Sequence, residues 1–223
     1  MSGFVVAEDW ISSLPELVCQ EAMAQMSVRQ IAAGAELARV GNPAEAIYRV
    51  KSGYLKQTGL QEDGERTLLT IYAAGACFAE TAVIVGQPLN HTTIALTDAT
   101  VECLPAQAFW RLYRNCPEVS DALCRKFAQS LRRQVAEREQ FASARLNAKI
   151  ASLFADLGTR TGSVEADGRL RISIPFTQFD LAAHFGVTRQ SVQRELSSFK
   201  SNRSIIKQSC GWVVDLTKLP SLS

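Results

Sequence analysis

Histidine is scarce in this sequence, with His91 and His184 the only two in 223 residues. The six cysteines, Cys19, Cys77, Cys103, Cys116, Cys124 and Cys210, contain no C-x-x-C pair. A structural zinc site or an iron–sulfur cluster needs ligands set close together, so neither is expected. The scattered thiols read as reduced side chains of a cytoplasmic protein. No apolar run approaches the roughly 18 residues that a membrane span requires. The opening MSGFVVAEDWISSLPELV is too acidic and too interrupted for a signal peptide, so no membrane partner is expected. There is no phosphate-cradling glycine loop and no histidine beside a candidate nucleophile, which argues against an enzyme.

What is present is unevenly spread. Residues 1–141 carry 13 Lys and Arg against 16 Asp and Glu, whereas residues 142–223 carry 11 against 6. A basic C-terminal part under a net charge of only +2 points to a polyanion as partner. Helical periodicity over 13–26 is followed, from about 28 to 109, by short apolar alternations broken by Gly34, Gly41, Gly53, Gly59, Gly64, Gly75 and Gly86. Asp63-Gly64 between YLKQTGL and RTLLTIY is a hairpin signal. Many short strands at turn spacing predict a small antiparallel roll or barrel.

From Pro117 to about Ala142 the texture changes to one long helix without glycine or internal proline. Leu123, Phe127, Leu131, Val135 and Phe141 form its apolar stripe. Such a helix is about 37 Å long at 1.5 Å per residue, more than a small roll covers. A second copy of the same helix is the economical partner, with Leu123, Phe127, Leu131 and Phe141 in the seam of a homodimer. RLNAKIASLFADLGTR predicts a further helix ending at Gly158, and RLRISIPF a short β-hairpin arm.

The last segment is the most specific. Thr177 with Asp180 makes a capping-box pair for a helix over 178–185, Gly186 supplies the turn, and Thr188 caps a helix over 189–200. Ala182 lets the two helices cross closely, while Leu181, Phe185, Val187, Val192 and Leu196 lock them. The free N-terminal face carries Thr188, Arg189, Gln190, Ser191, Gln193 and Arg194. Arginine reads guanine and glutamine reads adenine in a major groove, so this face is expected to bind double-stranded DNA. SIIKQSCGWVVDL adds two strands joined through Cys210-Gly211, a wing.

From about residue 14 to the C-terminus the chain resembles the CRP/FNR family of bacterial transcription regulators. The resemblance rests on the glycine-punctuated segment, on NCPEVSDAL, and on the run from Ile172 to Leu196, I-x-I-P-F-T-Q-x-x-L-A-x-x-x-G-V-T-R-Q-S-V-x-R-E-L. It implies an α+β fold. A jelly-roll-like antiparallel β-roll over 1–116 senses an effector, a dimerisation helix follows over 117–142, and a winged helix-turn-helix over 143–223 binds DNA. It also implies a homodimer on a near-palindromic site, with RNA polymerase as a further partner. The base-reading positions fall on Arg189, Gln190 and Arg194, the second of which is often Glu in relatives.

The effector is the open question. Relatives that bind cyclic nucleotides carry Gly-Glu and, about ten residues later, Arg-Ser; these places hold Ala79-Glu80 and Leu89-Asn90 here. No Lys or Arg lies between Arg66 and Arg111, so a buried cyclic phosphate lacks a local cation and cyclic AMP is not expected. The pocket is expected to involve Cys77, Glu80, Leu89, Asn90 and His91, with Gln134, Val135 and Arg138 from the long helix, where Arg132 and Arg133 are further candidate cations. The iron–sulfur branch needs several N-terminal cysteines, and only Cys19 is there. Haem ligated by Cys77 or His91, oxidation of Cys103, Cys116 or Cys124, a small apolar molecule, and no effector at all remain as alternatives.

Overall fold

On two neighbouring strands, alternate residues serve two different cores. Ile47 and Leu104 are paired across the strands and enter a helical cluster, while the adjacent pair Tyr48 and Cys103 enters the roll interior with Val50 and Val101. A sheet covered on both faces buries apolar residues from both sets of alternate positions on these strands. The structure, a computed structural model, describes residues 3–60, 66–209 and 211–220, with the backbone alone at 60, 66 and 140–143.

In chain order the first part holds β1 (Val5–Val6), α1 (Glu16–Ala24), β2 (Ser27–Ile31), β3 (Glu36–Ala38), β4 (Ala46–Ser52) and β5 (Leu55–Leu60). It continues with β6 (Arg66–Tyr72), β7 (Cys77–Phe78), α2 (Glu80–Val85), β8 (Thr92–Ala95), β9 (Ala99–Pro105) and α3 (Ala106–Asn115). The strands form one sheet in the order β1-β6-β5-β8-β3 and another in the order β2-β9-β4-β7. All pairings are antiparallel except that β1 lies parallel to β6. This is the expected roll. The Asp63-Gly64 turn lies outside the described residues, but β5 and β6 on either side of it pair antiparallel from Leu55↔Tyr72 to Leu60↔Arg66.

Neither α2 nor α3 was anticipated from the glycine-rich texture. The second starts directly after Pro105 and buries Ala108, Phe109 and Leu112 on one face, against Trp10, Leu104 and Leu123. Full burial of a side chain such as Phe109 contributes about 1.5–3 kcal/mol.

The long helix is observed as α4 (Pro117–Ser143). Its first turns serve the chain itself: Leu123 is buried in the helical cluster and Phe127 packs against it. Leu123 is therefore removed from the expected dimer seam, because its apolar surface is already covered. Leu131 is 64% exposed and Val135 49%. The side chain of Phe141 lies outside the described residues.

The chain divides into two compact units, Val5–Arg132 and a unit joining Met1–Phe4 to Arg133–Ser223. The second unit contains α5 (Leu146–Thr161), β10 (Ser163–Val164), β11 (Leu170–Ile172), α6 (Gln178–Phe185), α7 (Arg189–Ser201), β12 (Ile205–Gln208) and β13 (Gly211–Val214). Its sheet runs β10-β11-β13-β12, all antiparallel. Gly158 does not end α5, as its position near the close of the periodic run suggests. The helix continues to Thr161, and a Cβ on Gly158 would come within 3.1 Å of the Leu170 side chain. The glycine provides room for β11 rather than a stop. Trp212 stacks on Phe176 at 5.4 Å, donates its indole N–H to the Phe176 carbonyl at 3.3 Å, and meets the edge of Phe154.

Candidate nucleic-acid interface and effector region

The helix-turn-helix is built by local chemistry. The Thr177 hydroxyl accepts from the Asp180 N–H at 3.2 Å, and the Asp180 carboxylate accepts from the Thr177 N–H at 2.7 Å, closing the capping box of α6. Gly186 ends that helix at φ 64°, a left-handed conformation that glycine adopts without a Cβ penalty. Thr188 then caps α7 by accepting from the Ser191 N–H at 3.2 Å, and the two hydroxyls pair at 3.0 Å. Leu181, Val192 and Leu196 are buried in the lock, with Phe185 and Val187 half-buried.

With that lock set, the remaining face of α7 is free of the core. Arg189, Gln190, Gln193 and Arg194 are all exposed, and the Arg194 side chain, 79% exposed, has only a loose ion pair at 3.7 Å to Glu195. These four residues thus share the solvent-facing side of the first two turns of α7, at a helix N-terminus where backbone N–H groups favour phosphate. Thr188 and Ser191 sit at that end, with part of their hydroxyl capacity committed to the cap.

In the roll the expected effector residues separate into two groups. Glu80 opens α2 and is 3% exposed, its carboxylate accepting from the Trp10 indole at 2.9 Å and paired with the Lys126 ammonium of α4. Lys126 also donates to the Cys77 carbonyl. Cys77 is buried beside this pair, where burial and then the Glu80 charge push its thiol pKa up. Close by, Asp9 is bonded by Arg49 at 2.6 Å; desolvation opposes ionisation, but the guanidinium and Ser12 hold the carboxyl below its ordinary range. Arg49 also bridges to Glu102. These charges compensate one another.

The second group lines a cavity of about 490 Å³ formed by Arg39, Val40, Thr58, Gly59, Asn90, His91 and Thr92. Asn90 and His91 belong to it. Leu89 does not, being buried in the roll interior. Cys77, Glu80, Gln134, Val135 and Arg138 are likewise absent from its lining. The first two are enclosed by the Trp10–Lys126 cluster, a correction to the expected pocket. Burial lowers the His91 pKa, so its imidazole is neutral near pH 7.

Folding brings to this region cations that the segment between residues 66 and 111 lacks. Lys126 reaches Glu80 across 46 residues, and Arg39 enters the cavity, its Nε donating to Glu36 at 2.8 Å. Both already hold carboxylates. Leu89 stands where the resemblance places a phosphate-gripping arginine. Burial keeps the Cys77 thiol protonated, which disfavours it as a haem ligand. Burial also raises the pKa of Cys103 and Cys116, which disfavours the reactive thiolates, while Cys124 is exposed.

Among the described residues no helix is long and apolar enough to cross a membrane, and no cluster of metal-ligating side chains occurs. The chain matches two families, the cyclic nucleotide-binding domain over residues 28–116 and the Crp-like helix-turn-helix domain over residues 148–222. It is similar to a CRP-like cAMP-activated global transcriptional regulator of Mycobacterium tuberculosis, with 26% identity over 159 residues, 71% of this chain and 70% of the relative. It is also similar to the transcriptional regulator SdrP of Thermus thermophilus, with 26% identity over 70% of this chain and 72% of the relative. Its fold is that of FixK2 from Bradyrhizobium japonicum, with a TM-score of 0.72 at 18% identity over 87% of this chain and 95% of that one. A roll with an effector-binding domain's architecture, a long helix and a DNA-binding helix-turn-helix thus follow one another in the order these relatives share, and the chain belongs to the CRP/FNR family of transcription regulators.

Proposed function

We propose that the protein is a sequence-specific, homodimeric transcription regulator that works in the cytoplasm on near-palindromic double-stranded DNA. The observation that carries this reading is the exposed row Arg189, Gln190, Gln193 and Arg194 directly behind the Gly186 turn. Arg189 and Arg194 reach the O6 and N7 acceptors of guanine, and the Gln190 amide pairs with N6 and N7 of adenine. Thr188, Ser191 and the first backbone N–H groups of α7 hold phosphates and set its register. Two copies related by a two-fold axis read two half-sites, with Leu131 in the seam between them. RNA polymerase is the partner through which such binding acts on transcription.

Control comes through the roll by an effector other than cyclic AMP. Supporting this are Leu89 at the phosphate place and a Glu80 carboxylate already held by Trp10 and Lys126. The cavity beside Asn90 and His91 is of a size that suits a small molecule, since ligand pockets of about 300–1,000 Å³ are typical. Calorimetric titration with cyclic AMP is expected to give no micromolar binding.

Selection of sites from random DNA tests the main reading. Wild type is expected to select a palindrome, Arg189→Ala to lose about 1–3 kcal/mol of discrimination at one G·C pair, and Gln190→Glu to change preference at one pair per half-site. The salt dependence of Gln190→Glu binding should stay close to that of wild type. Identical selected sequences for all three proteins would remove these side chains as readers.

A further inference from the structure

The DNA-binding unit contains an aromatic residue, Phe4, from the far N-terminal end of the chain. Phe4 is fully buried, and it is buried there: its ring meets the edge of Phe176 at 5.0 Å and the edge of His184 at 4.9 Å. The backbone just before it is fixed as well, because the Gly3 N–H donates to the Glu137 carboxylate of α4. None of this is part of the helix-turn-helix pattern, and Phe4 lies 144 residues before the start of the matched domain at 148.

The two rings that Phe4 touches sit at opposite ends of α6. Phe176 precedes the Thr177 cap and stacks on Trp212 of β13, which ties it to the wing sheet. His184 is in the last turn of α6, packs on Phe185 at 4.9 Å, and is followed two residues later by the Gly186 turn. A single ring therefore meets the residue just before the cap of α6 and a residue of its last turn, on the helix that carries α7. We propose that Phe4 is a positioning residue for DNA recognition: by wedging against Phe176 and His184 it fixes the seat of α6, and through the α6–α7 lock it fixes the angle at which Arg189, Gln190 and Arg194 meet the groove. This rests on α7 being the DNA-reading helix.

The physical consequence is selective. Phosphate contacts from Lys and Arg tolerate a small tilt of α7, because they are electrostatic and not strictly directional. Bidentate contacts to base edges do not, because both hydrogen bonds must be aligned at once. Loss of the wedge should thus reduce the ratio of specific to non-specific affinity more than it reduces non-specific affinity.

The test uses the full chain, with Phe4→Ala, Phe4→Val and Phe4→Leu measured against the palindrome selected by wild type and against random-sequence duplex at one salt concentration. Phe4→Ala is expected to lower the specific-to-non-specific ratio at least tenfold with less than threefold change in non-specific binding. Phe4→Val should fall in between and Phe4→Leu should recover most of the ratio. Circular dichroism at the assay temperature reports whether each variant is folded, and if Phe4→Ala is not, the Val variant decides by the same ratio. A wild-type ratio in the smallest folded variant, or equal loss of both affinities, overturns the proposal. Failure of wild type to select any sequence would instead remove the DNA-reading assignment on which it rests.

Discussion

On α7 the long polar side chains of Arg189, Gln190, Gln193 and Arg194 face solvent, whereas in the roll Asp9, Arg49, Glu80, Glu102 and Lys126 are bonded to one another. The contrast has a simple energetic origin. A recognition surface must leave donors and acceptors for a partner, and exposed arginines pay little desolvation while they wait. A buried carboxylate such as Glu80 cannot wait, because an unpaired charge in the interior costs several kcal/mol. One region is therefore open to a ligand as it stands, and the other is closed around its own charges, apart from the cavity lined by Arg39, Asn90 and His91.

Breaking the closed cluster should have the largest effect. Lys126→Met leaves Glu80 with Trp10 as its remaining partner, and a loss of about 3–5 kcal/mol is expected in urea unfolding at pH 7. Adding Glu80→Gln should return part of that loss, since the uncompensated charge is then gone. A loss below about 1 kcal/mol would mean that the pair is as dispensable as a surface ion pair.

Next comes the exposed stretch of the long helix. Leu131→Asp places a charge where a partner helix is expected, and it should weaken dimerisation by about 100-fold, equivalent to about 3 kcal/mol. Leu123 is already buried within its own chain, so its truncation should lower stability more than it changes the sedimentation of the folded protein. An unaltered dimer for Leu131→Asp would move the seam elsewhere.

A smaller effect follows from His184 in the DNA-binding unit. Burial lowers its pKa from 6.5 to about 4 in the folded state. The unfolded chain therefore takes up a proton that the folded chain refuses, and stability is full above pH 6.5 and falls as pH drops towards 4. The loss contributed by this group is at most about 3 kcal/mol, and it should be missing from His184→Gln when the two proteins are compared across that window. Parallel curves for the two proteins would exclude it.

The smallest effect concerns one backbone position. Ala79 adopts φ 74° immediately before Glu80, a left-handed conformation that costs an L-residue about 1–2 kcal/mol. Ala79→Gly, which recreates the Gly-Glu pair of nucleotide-binding relatives, should raise stability by about 1 kcal/mol or slightly less, because glycine also gains entropy when unfolded. Thermal melting of the two proteins decides it. A lower melting point would mean that the Ala79 methyl group contributes more packing than the strain takes away.

The helix-turn-helix was legible because it is local. Thr177 with Asp180, Gly186, and Thr188 with Ser191 are partners three residues apart or a single backbone requirement, so the order of residues contains the whole interaction. The roll was legible as a class, from glycine spacing and apolar alternation, but the segment over 106–115 was not separated from it, because its helical face becomes evident only against Trp10 and Leu123. The effector region was the least legible part. No cation lies near Glu80 or Asn90 along the chain, whereas Lys126 and Arg39 arrive from 46 residues after Glu80 and 51 residues before Asn90.

The sequence by itself determined the family, the order of roll, long helix and winged helix-turn-helix, and the side chains displayed on α7, since each depends on short-range periodicity, capping or turn chemistry. Only the tertiary structure decided that Leu123 is spent inside the chain, that Gly158 makes room for Leu170 instead of ending its helix, that Glu80 is closed off by Trp10 and Lys126, and that Phe4 is seated beside Phe176 and His184. Burial and charge pairing depend on which surfaces meet, and residues 46, 70 or 172 positions apart along the chain carry no local trace of that meeting.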